Sequence, residues 1–445
     1  MSIMPLLLKL DYFFARFIEI FAVPATILFF GVAVILTFKS DFAQFRAFPR
    51  FWKIITEGFA RRKNNKKNGK METIDSFHAL STAMATTIGM ANIVGPSVAI
   101  MAGGPGALFW LVVYIFFASV TKFYEVTFAL HTRTKTKDGR VIGGPSQYLK
   151  LVSPILAHWY GFVMIFLFGA WSALQSNTLA GVLQEEGISL WITGTLLGLI
   201  VLLVLRGGAK RVGFIASKMV PIMFFLYVGF SLFLLFKNVA AVKQAFALIF
   251  SSVFSSAAPI GAFLGATVYQ AMHMGIYRGI YLSEAGLGTS SIPHAVADTK
   301  KPVDQGVLAL YSMFSDAIIS TLSGLMVLVT GVWTYGKFRN TLIYDAFKMN
   351  SPVLGKYVLI ITITMFVIST IIGNSFNGTQ NFAALTKHRW VEIYKFFMIA
   401  AVVLGAFLPA ESTWNIMDVM LTLVAVPNVI GILILAFTKP EVTKL

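Results

Sequence analysis

Apolar residues gather into eleven runs along the chain. They lie near 15–38, 76–101, 106–130, 155–182, 190–206, 213–236, 259–282, 305–334, 354–376, 391–408 and 413–437. Each approaches the ~20 residues a helix needs to cross a bilayer, and short polar loops separate them. Two runs break the pattern. In 76–101 the stretch TTIGMANIVGP (86–96) puts Thr, Asn, Gly and Pro at membrane depth. In 259–282 Gly261, Gly265, Gly275 and Gly279 accompany Thr267, Tyr269, Gln270 and His273. A proline kink or a small-residue packing face is the plain account of either run alone.

Together they point further. Helix breaks are expected near 88–92 and near 261–275. Five spans separate the two runs, so they cross the membrane in opposite directions. That is the signature of two inverted five-helix repeats, 76–258 and 259–445, after an N-terminal helix and basic loop in 1–75. Amides freed at a half-helix N-terminus favour a carboxylate, and freed carbonyls suit a small hard cation. A zwitterionic amino acid beside Na⁺ would use both.

Composition agrees with a polytopic membrane protein. Of 445 residues, 57% are hydrophobic and 12% charged, with a mean hydropathy of +0.77. Soluble domains carry about 25% charged residues. The net charge of +17 is unevenly placed: 27 Lys and Arg fall in one set of alternate loops and 8 in the other. The positive-inside rule then puts the N-terminus outside and the C-terminus in the cytoplasm of a cell inner or plasma membrane. The basic run RRKNNKKNGK (61–70) becomes a cytoplasmic surface beside the lipid bilayer, with no aromatic-basic motif for nucleic acid. The first apolar run is too long for a signal peptide and is expected to stay as a helix. With no cysteine there is no disulfide or thiolate chemistry. No G-x-S-x-G, H-E-x-x-H or Walker loop occurs, so the reading is not an enzyme, with no cofactor and no obligatory protein partner.

Several motifs then carry a resemblance. GMANIVGPSVAIMAGGPGALFW (89–110), TKFYEVTFALHTR (121–133), GGPSQYL (143–149) and RGIYLSEAGLGTSSIPHAVADTKKPVDQG (278–306) follow one another in order. They resemble the alanine or glycine:cation symporter family, also called the sodium:alanine symporters, along the whole chain. The resemblance implies the leucine-transporter fold, all-α, with one extra N-terminal helix. It also implies uptake of a small neutral amino acid driven by Na⁺ or H⁺. Gly89, Met90, Ala91 and Asn92 would meet the substrate, with Gln175 and, less directly, Phe263, Gly265 and Thr267. Sodium would be held by carbonyls of Ala85, Ile88 and Phe366 and hydroxyls of Ser369 and Thr370. The family's G-T-G-N is G-M-A-N here, Pro96 replaces a small or branched residue, and G-W-S-Y-Y-G is GNSFNG (373–378). Asn374 and Asn377 thus replace aromatic residues near the expected pocket, so a larger or more polar amino acid is the alternative to alanine or glycine.

The remaining intramembrane polar residues have bland readings. Lys122 and Glu125, three apart, are expected to neutralise one another on one helix face. Asp418 is read as structural and His273 as a packed polar residue. Asp316 is read as a gate residue or a cap for a neighbouring half-helix. Glu284 is the candidate cytoplasmic gate, with Arg278 as a possible partner. An uncoupled facilitator or channel is the rival function.

Overall fold

A computed structural model describes residues 4–67, 76–135, 141–206, 208–254, 268–299, 301–335, 341–387 and 389–445. The chain is helical nearly throughout, apart from a two-residue hairpin pairing Thr134 with Ile142. The principal helices are α1 (Met4–Lys39), α2 (Ser76–Thr87), α3 (Met90–Gly103), α4 (Gly106–His131), α5 (Pro154–Gln184), α6 (Leu190–Leu205) and α7 (Gly208–Lys237). They continue with α8 (Val268–Ser283), α9 (Ser291–Ala295), α10 (Pro302–Thr330), α11 (Leu354–Thr386), α12 (Val391–Gly405) and α13 (Ala410–Thr438). Counting α2 and α3 as one span, eight among the described residues are long and apolar enough to cross a membrane. The helices at two further expected spans are shorter, with 16 residues in α6 and 15 in α12, and the described part of a third, α8, has 16.

Burial sorts these helices. In the span Leu80–Gly103, 89% of the apolar window is buried inside the protein, against 33% for Phe214–Lys237. α2 and α3 therefore run through the centre, while α7 turns Phe225 and Phe236 outward. A soluble protein would not tolerate that face, and lipid does. α4 packs against α8 and α10, and α5 packs against α11 and α13.

The first expected interruption is present. α2 ends at Thr87 and α3 begins at Met90, leaving Ile88 and Gly89 between them. The second expectation meets the described residues only in part. α8 is continuous over 268–283, so there is no break in 268–275; residues 261–267 lie outside the described residues. The glycines read as weakness are contact points. A Cβ on Gly275 would lie 2.8 Å from Trp110 Cβ, and one on Gly279 would lie 2.7 Å from Tyr114 Cδ1, both on α4. This is small-residue packing, which lets two backbones approach. The chain gives way later, at Glu284–Ser290, before α9. Gly286 and Gly288 there have φ of 96° and 74°, a region where a Cβ is strained.

Candidate substrate and ion site

The first break leaves backbone groups for other partners. The first amides of α3 and the last carbonyls of α2 have no partner in their own helices. Asn92, in the first turn of α3, accepts the Gly89 N–H on Oδ1 at 3.2 Å. Its Nδ2 donates to Asp316 Oδ1 of α10, also at 3.2 Å. One buried amide thus caps the break and ties it to a buried carboxylate.

Opposite the break stands α11. The Thr370 hydroxyl donates to Ala85 O at 3.1 Å. A Cβ on Gly89 would lie 2.5 Å from Thr370 Oγ1 and 3.4 Å from Gln175 Nε2, so only glycine allows this approach. Ser369 donates to Phe366 O at 3.0 Å in its own helix, the back-bonding expected of a Ser in a span. Ala85, Ile88, Phe366, Ser369 and Thr370 are all buried. The structure therefore brings Ala85, Gly89, Gln175 and Thr370 together. Met90, Ala91 and Asn92 are buried at the start of α3. Asn374 is buried one turn beyond Thr370. Phe263, Gly265 and Thr267 lie outside the described residues. Carbonyl and hydroxyl oxygens are what a hard monovalent cation takes, and no cluster of three His, Asp or Glu competes among the described residues.

The second break is enclosed by side chains. The Lys122 ammonium donates to Ser283 O at 3.0 Å. Tyr114 donates to Ala285 O at 3.0 Å and Tyr160 to Leu287 O at 2.5 Å. Glu125 Oε1 accepts the Gly286 N–H at 3.0 Å and Asn428 Nδ2 at 2.7 Å, and Tyr148 donates to Asn428 Oδ1 at 2.6 Å. Glu284 accepts the Thr289 hydroxyl. Lys122 and Glu125 do not pair with one another: among the described residues each reaches the turn instead. Their i,i+3 spacing points both toward the same segment, and that segment uses both signs.

Arg278 also differs from its expected partner. It makes a bidentate pair with Asp418, NH1 to Oδ1 and NH2 to Oδ2 at 2.8 Å each. Its guanidinium lies 4.7 Å from the Trp414 ring. Asp418 is therefore an ion-pair partner, and among the described residues Glu284 makes no ion pair with Arg278. Tyr281 lies 5.1 Å from Trp414 and stacks on Trp171 of α5 at 5.3 Å. His273 Nδ1 meets the Thr26 hydroxyl of α1 at 3.1 Å, a packed polar contact.

The description of one protein family, the sodium:alanine symporters, matches residues 10–444. The chain belongs to the sodium:alanine symporter family. Among similar proteins, an uncharacterized transporter of Haemophilus influenzae is 34% identical, covering 96% of this chain and 93% of that one. The sodium/alanine symporter AgcS of Methanococcus maripaludis is 31% identical over 94% and 93% of the two chains. A probable sodium/glutamine symporter, GlnT of Bacillus subtilis, is 28% identical over 92% and 85%. Solved structures agree on fold. MhsT in complex with L-phenylalanine aligns with a TM-score of 0.58 at 12% identity, over 84% of this chain and 93% of that one. A Na⁺-coupled sialic acid symporter gives 0.54 at 12% identity, over 89% and 80%. The family member described here is a multi-pass membrane transporter with the leucine-transporter fold, and its family is that of sodium-coupled amino-acid symporters, not of enzymes.

Sequence reasoning named the first break and, on α11, Thr370 beside it, but not the groups that hold the turn at Glu284–Ser290. The signal was present in SEAGLG, whose glycines alternate with positions that demand outside partners.

Proposed function

We propose that this symporter couples Na⁺ influx to uptake of a neutral amino acid by alternating access. The substrate carboxylate meets the free amides of Met90 and Ala91, and its remaining groups face Gln175. Na⁺ is held by carbonyls of Ala85, Ile88 and Phe366 with the hydroxyls of Ser369 and Thr370. The observation that carries this reading is the interrupted helix at Ile88–Gly89, with Thr370 Oγ1 at 3.1 Å from Ala85 O. Asp316, bonded to Asn92, and Glu284, in the second break, act as the gate residues that report occupancy to α10 and α9.

The uneven Lys and Arg distribution supports an outside N-terminus and a cytoplasmic C-terminus in a cell inner or plasma membrane. One Na⁺ moving down ~100 mV releases ~2.3 kcal/mol, and a tenfold gradient adds ~1.4. Together they support roughly five-hundredfold accumulation. The test is uptake into proteoliposomes. Uphill accumulation that stops when the sodium gradient is collapsed supports coupling, whereas uptake that merely equilibrates, with or without sodium, marks an uncoupled facilitator. Asn92→Ala and Ser369→Ala are expected to lose sodium-driven uptake in protein that still folds.

A further inference from the structure

One face of α11 carries more than the sodium hydroxyl. Thr370, Asn374 and Asn377 are four and three residues apart, so they share that face. Bonds locate both ends of the stripe. Thr370 reaches Ala85 O of α2, and Asn381, a further turn along, donates to Gly161 O of α5 at 2.8 Å. Asn374 and Asn377 therefore look out between the first break and α5. On α5, Ser172, Gln175 and Ser176 also share a face, and the closeness of Gln175 to Gly89 turns that face toward the break.

These five side chains are all at 0% exposure. Among the described residues, no oxygen or nitrogen of the Ser172, Gln175, Ser176, Asn374 and Asn377 side chains has a hydrogen-bond partner. Each such group costs about 1–3 kcal/mol when left unmatched. Natural proteins keep very few of them, and a cluster calls for an explanation. It is unlike Asn177 on the opposite face of α5, which donates to Gly405 O and Leu408 O at 3.1 and 2.6 Å.

The chemistry of the cluster selects its complement. Three primary amides offer both NH₂ donors and C=O acceptors. A methyl group satisfies none of them. A hydroxyl satisfies a donor and an acceptor at one point. A primary carboxamide presents two donors and a carbonyl in one plane, and pairs with another amide through both. Asn374 and Asn377 stand about 6 and 10 Å along the helix axis from Thr370, beyond the span of a β-carbon substituent. Reach therefore favours the longer of the two natural carboxamide side chains.

We propose that Asn374, Asn377, Ser172 and Gln175 line a chamber that forms the side-chain subsite of the amino-acid site, and that it selects glutamine, then asparagine, over alanine and glycine. This rests on the carrier reading above and names its cargo.

The test is sodium-dependent uptake of radiolabelled glutamine, asparagine, alanine and glycine by the full-length protein in proteoliposomes, compared as kcat/KM. Glutamine is expected to exceed alanine at least tenfold, because a site built to bond a polar group discriminates strongly against a substrate lacking it. Asn374→Leu and Asn377→Leu are each expected to lower the glutamine-to-alanine ratio by about tenfold or more. Asn374→Trp is expected to invert it by filling the chamber. The wild-type ratio is decisive even where a variant fails to fold. Sodium-dependent alanine uptake with glutamine no better than alanine overturns the subsite, assigns the chamber to bound water only, and leaves the carrier reading standing. A glutamine preference unmoved by both leucine variants also overturns it. Absence of sodium-dependent uptake for all four amino acids overturns both readings.

Discussion

Two interruptions among the described residues of this transporter differ in how they are completed. At Ile88–Gly89 the protein supplies little: one cap from Asn92 and one hydroxyl from Thr370. At Glu284–Ser290 it supplies an ammonium, a carboxylate, two tyrosine hydroxyls and an asparagine amide from three other helices. Membrane interiors demand that freed backbone groups find partners. The second break is finished by the chain itself, while the first keeps groups in reserve. A loop completed internally acts as a hinge of fixed shape; a loop completed by what it binds reports on binding.

That contrast can be broken most directly at Lys122. Lys122→Met leaves Ser283 O without its donor and Glu125 without a nearby positive charge. Losing one partner of a buried charged network costs about 3–5 kcal/mol. A thermal melt in detergent without sodium is expected to show the whole loss, and sodium is expected not to restore it. A melt equal to wild type would make the second break as ligand-dependent as the first. Next in size is Gly279→Ala, which puts a methyl 2.7 Å from Tyr114 Cδ1. Overpacking of this kind costs about 1–3 kcal/mol, read as a lower melting temperature together with displacement of the Tyr114 bond to Ala285. Thr370→Val sharpens the comparison from the other side. Sodium affinity, measured by calorimetry, is expected to fall about tenfold, or ~1.4 kcal/mol, so that the loss in the melt is larger with sodium than the loss of about 1 kcal/mol from the Ala85 bond without it. Equal losses with and without sodium would mean the first break is structural too.

The smallest effect lies far from both breaks and serves as their control. Glu186, just beyond α5, accepts from Lys356 Nζ at 2.7 Å and from the Tyr344 hydroxyl. The Lys356 bond, then the Tyr344 bond, hold its carboxyl below the usual range. Its stabilisation is therefore present above about pH 4.3 and lost as pH falls below that. Glu186→Gln is expected to cost about 0–1 kcal/mol at pH 7, and the gap from wild type is expected to close as pH falls through the lowered native value of that carboxyl. A gap that widens in acid would refute the assignment.

Much of the fold could be read from the chain because lipid imposes one pattern on every span. Apolar length located α1, α4, α5, α7, α10, α11 and α13, and Gly89-Met90-Ala91-Asn92 marked the first break by residue type alone. The turn at Glu284–Ser290 escaped for a physical reason. Gly275 and Gly279 look like weakness in sequence, yet their hydrogen atoms face α4 at close range, where glycine strengthens packing. Ser283–Ser290 looks like a loop until Lys122, Tyr160 and Asn428, more than a hundred residues away on either side, are folded against it. The same distance hid the pairing of Arg278 with Asp418, and local spacing misled at Lys122 and Glu125. Nothing in one sequence encodes which distant amide a carbonyl will meet.

The cluster Trp171–Tyr281–Trp414, with Arg278 over its last ring, has a mechanical consequence. Its four members come from α5, α8 and α13, so parting them means moving whole helices, not swinging a single side chain. A junction made this way holds against small random jostling and yields only to collective rearrangement of the three helices.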